Sequence, residues 1–144
     1  MMSDVPIGIV LSGGLDSSLV AALAHQVSQS SGKPVPECWT VASSEDNPDF
    51  VASEMITQHH DLGHHTKIIE EDEFWKGLPR FVASGEDLDI TALFWQTLYE
   101  EVSKQVTVGL CGHGADELHA GCARYRDLNE QSRLVSNSLS LAGG

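Results

Sequence analysis

The sequence predicts an α/β protein, a doubly wound parallel sheet with helices on both faces, and three observations carry that prediction. Strand-like and helix-like patterns alternate along the chain. The first strand pattern, Val5-Pro6-Ile7-Gly8-Ile9-Val10-Leu11, is apolar almost throughout, as a central parallel strand buried on both faces must be. Two Gly-rich turns, 12–18 and 111–117, each follow directly on a strand pattern. With strand order 3-2-1-4 and right-handed crossovers, both turns fall at the carboxyl ends of the strands beside the topological switch point, where such sheets bind ligands.

Taken in order, the strand ending at Leu11 runs through Ser12-Gly13-Gly14 into a helix over 15–27. Leu15, Leu19, Ala22, Leu23 and Gln26 recur there at three- and four-residue spacing, and Ser31-Gly32-Lys33-Pro34 ends the segment. Residues 38–42 are a short second strand rich in β-formers. Asn47 is a candidate N-cap with Pro48 at the first helical position, and Phe50, Val51, Met55 and Ile56 form the apolar stripe of the helix they open. Gly63 closes that region before a third strand over 64–69. A helix over 70–82 carries acidic residues in its first turn, where the helix dipole favours them. Ser84-Gly85-Glu86-Asp87 breaks the pattern, a further helix covers 90–105, and the fourth strand covers 106–110. Residues 1–135 read as one domain, with a charged, helical segment after Gly121 and a loose small-residue tail over 136–144.

Composition narrows the function classes. The net charge of −13 makes a surface that repels nucleic-acid phosphates, which excludes nucleic acid as the expected partner. Cys38, Cys111 and Cys122 are odd in number and lack a CxxC pair, so a reducing cytoplasm is expected rather than a disulfide framework. No charged-then-apolar leader and no apolar run near 18 residues is present, so neither secretion nor a membrane is expected.

The turn Ser12-Gly13-Gly14-Leu15-Asp16-Ser17-Ser18 has the chemistry of a phosphate cradle. Glycines let an anion approach the main chain, and the helix that follows presents unpaired N–H groups and a positive dipole end. The serines add hydroxyls, and Asp16 offers a hard carboxylate to Mg²⁺. No Lys lies near the turn, so it is not a Walker A loop. It resembles the SGGxDS loop of the ATP-pyrophosphatase superfamily, whose members split ATP between the α- and β-phosphates. The second turn, Cys111-Gly112-His113-Gly114-Ala115-Asp116-Glu117-Leu118-His119-Ala120-Gly121, resembles the G-x-G-[AS]-D-E-[LVI]-F-x-G-Y segment of the asparagine synthetase and β-lactam synthetase family. The resemblance spans roughly residues 4–127.

What the resemblance implies is an adenine nucleotide alpha hydrolase-like fold in which Ser12, Gly13, Gly14, Asp16, Ser17 and Ser18 contact ATP phosphates. Leu11, Val41 and Gly112 lie near adenosine through backbone groups, and Asp16 and Asp116 are Mg²⁺ ligands. The function it implies is adenylation of a small carboxylate substrate with release of pyrophosphate, for amide formation with ammonia or another amine. The rival is a non-catalytic or partner-dependent ATP/AMP-binding module.

Departures from the family pattern shape the remaining expectations. The family's Glu between the two glycines is His113 here, and a His near neutrality can act as a general base on an amine or, protonated, contact an anionic substrate. His113 and Glu117 are therefore the candidate catalytic residues. The family's Phe and Tyr after Asp-Glu are His119 and Cys122, and Glu86-Asp87-Leu88-Asp89-Ile90 is shortened where the family recognises its acid. The chain begins Met1-Met2-Ser3 without a glutaminase domain, so a glutaminase or C-terminal partner subunit is expected, with a homo-oligomer as a further possibility. The pairs His59-His60 and His64-His65 invite a zinc reading, which the family's paired His at this strand makes less economical. Trp75, Phe94 and Trp95 sit at core spacing, and Cys111 is expected to be a small packing residue beneath the nucleotide.

Overall fold

A computed structural model describes residues 4–84, 91–119 and 121, in two compact units, 1–112 and 113–144. The sequence-predicted helical segment after Gly121, the 136–144 tail, Cys122 and the 86–90 stretch lie outside the described residues.

The first unit is a four-stranded sheet of β1 (Ile7–Val10), β2 (Glu37–Ala42), β3 (His64–Ile68) and β4 (Val108–Leu110), with order β3-β2-β1-β4. Every pairing is parallel, Ile9 standing opposite Cys38 and Leu110, and Thr40 opposite Thr66. The central strand is the one with the continuous apolar run, because only a strand flanked and covered on all sides must exclude polar side chains. Crossovers are supplied by α1 (Leu15–Ser31), α2 (Pro48–His60), and the pair α3 (Glu71–Ser84) and α4 (Thr91–Ser103).

Strand alternation divides the core into two layers. Ile9, Leu11 and Cys38 face one way and pack with Ala21 and Ala24 of α1, Leu62, and partly buried Ile56 of α2. Val10 and Trp39 face the other way and pack with Leu98 and Val102 of α4, joined by partly buried Trp95 and Cys111. Helices thus cover both faces. Trp39 lies across Gly8, where a Cβ would collide with its indole ring, and stacks on His65 with ring centroids 4.6 Å apart.

Helix ends follow the predicted chemistry closely. Asn47 Oδ1 accepts from Asp49 N–H at 2.9 Å with Pro48 beside it, and Gly32 takes the left-handed conformation that ends α1. The end of α2 differs from expectation: the left-handed residue is Asp61 (φ 51°), two positions before Gly63. Aspartate is among the few side chains that tolerate this conformation.

The buried faces of two helices also differ. The α1 residues against the sheet are Ser17, Ala21, Ala24 and Ser28, while Leu15 is 84% exposed and Leu19, Leu23 and Val27 face outward with it. On α2, Phe50, Ser53 and Thr57 are buried, whereas Val51 and Met55 are exposed. On α1 small side chains occupy the contact with the sheet and the leucines lie on the outer face, whereas α2 buries Phe50 beside Ser53 and Thr57. Trp75 is 49% exposed rather than in the core, its indole N–H donating to Glu71 Oε1 at 3.4 Å.

Candidate nucleotide site at the carboxyl end of the sheet

β1 delivers its chain directly to the first Gly-rich turn. Leu11 remains buried, its N–H donating to Trp39 O at 2.9 Å, and its carbonyl accepts the Thr40 hydroxyl at 2.7 Å. Gly13 then adopts φ 80°, a conformation few residues with a Cβ adopt, and it presses against the start of α2. A Cβ there would strike the Asp49 carbonyl oxygen and come within 2.9 Å of Ala52 Cβ.

Gly14 is the N-cap of α1 and supplies no side-chain cap, so the first N–H groups of the helix keep no capping partner from that residue. The serines close the loop on itself. Ser17, 4% exposed, accepts Ser12 N–H at 3.2 Å, donates to Gly14 O at 3.2 Å, and lies 3.0 Å from Ser12 Oγ. Ser18 Oγ donates to Gly14 O at 2.7 Å. These hydroxyls hold the backbone in shape. Asp16 is half-buried in the first turn of α1.

Gly112, two residues beyond β4, comes against this loop from the neighbouring strand. A Cβ on it would lie 2.7 Å from Ser17 N and 3.0 Å from Asp16 Cβ. The end of β4 and the cradle therefore touch across about 95 residues of sequence, which the pairing of β4 with β1 makes possible. Val41 is half-buried on β2 near the same end of the sheet. Cys111 packs with Val10, Trp39, Leu98 and Val102, in the layer under α4.

The second unit begins at His113, which is exposed, followed by Gly114 at φ 91° and α5 (Ala115–His119). Asp116 and Glu117 occupy its first turn, both exposed. Gly121 N–H donates to Asp116 O at 3.2 Å, and a Cβ at Gly121 would strike Asp116 Oδ1. Gly121 thus makes room for the Asp116 carboxylate, a role visible in the sequence only as the last glycine of the motif.

Two residues make contacts that the sequence did not show, His64 having been singled out there only as a candidate zinc ligand. Thr40 is one, a threonine within a β-former run whose hydroxyl reaches the end of the next strand. His64 is the other: its Nε2 lies 2.8 Å from Thr40 Oγ1 and its Nδ1 3.1 Å from Thr57 Oγ1. Burial holds the His64 imidazole below the usual histidine pKa, with Glu54 opposing and His65 reinforcing the shift. His65 pairs instead with Glu37 on the opposite face. Among the described residues no group of three or more His, Cys, Asp or Glu is arranged to hold a metal ion, so the zinc reading of the His pairs finds no support. Among the described residues no helix is long and apolar enough to cross a membrane.

Comparison with known proteins agrees with this geometry. The family model for asparagine synthase matches residues 1–141. Asparagine synthetase [glutamine-hydrolyzing] 1 of Bacillus subtilis is 34% identical over 135 residues, 88% of this chain and 20% of that protein. The human asparagine synthetase [glutamine-hydrolyzing] is 32% identical over 127 residues, 84% of this chain and 23% of that protein. The chain thus spans about a fifth of the length of these curated relatives. Among solved structures, the NH3-dependent NAD synthetase of Campylobacter jejuni superposes with a TM-score of 0.53 at 20% identity, covering 81% of this chain and 51% of that one. The fold is of the adenine nucleotide alpha hydrolase-like kind.

Proposed function

The chain belongs to the asparagine synthase family, and from that premise we propose that it is an ATP-using ligase domain that adenylates a small carboxylate for amide formation. The observation that carries the reading is the 12–18 turn: a positive-φ glycine, a helix start with no side-chain cap, and Gly112 closing against it from the adjacent strand end. Such a turn suits an anion held by main-chain N–H groups. The NAD synthetase likeness supports the fold only.

In the proposed reaction a carboxylate oxygen of the substrate attacks the α-phosphorus of ATP, and pyrophosphate leaves with the electrons of the α–β bridge. Ammonia or another amine then attacks the acyl carbon and AMP departs. Gly13, Gly14 and the first N–H groups of α1 bind the phosphates, with Ser12, Ser17 and Ser18 keeping the turn in shape. Leu11, Val41 and Gly112 flank adenosine through backbone groups. His113 takes a proton from the attacking amine, and Glu117 assists in the same role.

Mg²⁺ suits this donor set. The ion binds through one or two carboxylates together with phosphate oxygens and retained waters, so it needs no protein cage of three ligands. Asp16 is the carboxylate at this turn that would hold it, and it would offset charge on the leaving pyrophosphate. The relatives are named glutamine-hydrolyzing asparagine synthetases, which supports a glutaminase partner as the source of ammonia. Free Cys38, buried, and Cys111, half-buried, support a reducing, cytoplasmic setting.

Isotope exchange between pyrophosphate and ATP across a panel of amino and dicarboxylic acids tests the reading. The expected result is exchange dependent on one acid and abolished in Asp16→Ala. Full exchange in Asp16→Ala removes the metal role of Asp16. Nucleotide binding without exchange for any acid, with or without an ammonia source, moves the assignment to an ATP/AMP-binding module.

A further inference from the structure

A string of hydrogen bonds runs along the α1/α2 face of the sheet to the last carbonyl before the cradle. Its order is Thr57 Oγ1, His64 Nδ1 and Nε2, Thr40 Oγ1, then Leu11 O, with spacings of 3.1, 2.8 and 2.7 Å. Thr40 and Thr57 are each 3% exposed, so neither hydroxyl can substitute water for its partner. Proton counting fixes the direction. Thr40 has one hydroxyl proton, and Leu11 O can only accept it. The Thr40 oxygen must therefore receive a proton from His64 Nε2, which selects the tautomer carrying Nε2–H. Were the proton on Nδ1 alone, Thr40 would turn to donate to Nε2, and Leu11 O would lose its partner.

We propose that His64 is a positioning residue for nucleotide binding: through Thr40 it holds the Leu11 carbonyl at the mouth of the cradle. The inference rests on the reading that Leu11 flanks the adenosine. Nothing in the 12–18 motif points to it, because His64 lies on the edge strand two strands away from β1.

The string also couples that carbonyl to pH. Protonation leaves Nε2–H in place and adds Nδ1–H, which donates to Thr57 Oγ1. The Thr57 proton then goes to the carbonyl of Ser53 or Glu54, each 3.0 Å away. No bond is lost, but a positive charge now stands one hydroxyl away from Leu11 O. It makes the carbonyl a poorer acceptor for a hydrogen-bond donor on the adenosine. The groups facing His64 are Glu54 and Asp61 at α2 and its end, neighbouring His65 on β3, and Cys38 opposite in register on β2, with Glu37 engaged by His65. A cavity of about 360 Å³, lined by Glu54, Thr57, Gln58, Asp61, His64 and Thr66, gives the imidazole access to solvent protons.

Calorimetric titration of the full chain with ATP and Mg²⁺ between about pH 5.5 and pH 8 tests this, since a histidine titrates in that window. The wild type is expected to bind several-fold more weakly at the acid end. His64→Gln keeps an N–H donor at the Nε2 position without titrating, so it should bind as the wild type does at about pH 8 and show a flat profile. Thr40→Val should weaken binding roughly tenfold at every pH, and Thr40→Ser should restore it. A purely structural role would move melting temperatures and leave the pH profile of the folded protein unchanged. A His64→Gln profile identical to the wild type overturns the proposal, including where Thr40→Val fails to fold. Folded wild-type protein that binds no adenine nucleotide overturns the reading of Leu11 itself, a result separate from the first.

Discussion

At the scale of single residues, backbone conformation and proton position matter more here than side-chain size. Gly13 combines φ 80° with a close approach to the Asp49 carbonyl, so its replacement meets both a torsional and a steric barrier. Gly13→Ala should cost about 2–4 kcal/mol of stability by urea denaturation, more than an ordinary loop glycine would. His64 carries a pH dependence of stability whose sign follows from its depressed pKa. The unfolded chain binds a proton there more readily than the folded one, so stability is full above the unfolded histidine value of about 6.5 and falls as pH drops toward the folded value. His60 is depressed by burial and by His59 and His25, and it acts in the same direction. The His64 share is therefore read as the difference between wild type and His64→Gln in urea midpoints across this range, and it should vanish above about pH 7.5. The strand-to-helix turn at 12–18 was legible from the order Ser-Gly-Gly-x-Asp-Ser-Ser alone. The link from His64 through Thr40 was not, because the threonine looks ordinary in a strand and the histidine, one of a pair that suggested zinc, meets its partner only through strand register.

Among the elements, α1 shows how a periodic pattern identifies a helix without identifying its buried side. Leucines at 15, 19 and 23 mark the helix, yet the sheet receives Ser17, Ala21, Ala24 and Ser28. A helix seated directly after the cradle is held close to the strands, and only small side chains fit the gap. Leu19→Ser should therefore change stability by no more than about 0.5 kcal/mol, the range of surface substitutions. Ala24→Leu should cost about 1–3 kcal/mol through overpacking. The opposite order in urea midpoints would reverse the assignment of faces. Helix α2 repeats the pattern in part, with Ser53 and Thr57 buried beside Phe50 and Met55 outside. Its start was legible to the residue because capping is local: Asn47 needs only Pro48 and Asp49 to do its work.

Across the first unit, strand order is what brings the end of β4 to the 12–18 turn. Parallel pairing of β4 with β1 brings Gly112 against Asp16 and Ser17, and a side chain there has nowhere to go. Gly112→Ala should displace the turn and weaken ATP binding at least about tenfold in calorimetry, with the sheet retained by circular dichroism; unchanged affinity would detach β4 from the site. By itself the sequence determined the α/β class, the element order and the composition of both Gly-rich turns. Those properties follow from local periodicity, from capping and from the conformational freedom of glycine, all of which act within a few residues. Only the tertiary structure decided which faces of α1 and α2 are buried, that Trp75 stands outside the core, and that His64 reaches Leu11 through Thr40. These depend on how closely a helix approaches the sheet and on strand register. Both are set by contacts between segments far apart in the chain, which no local window of sequence contains.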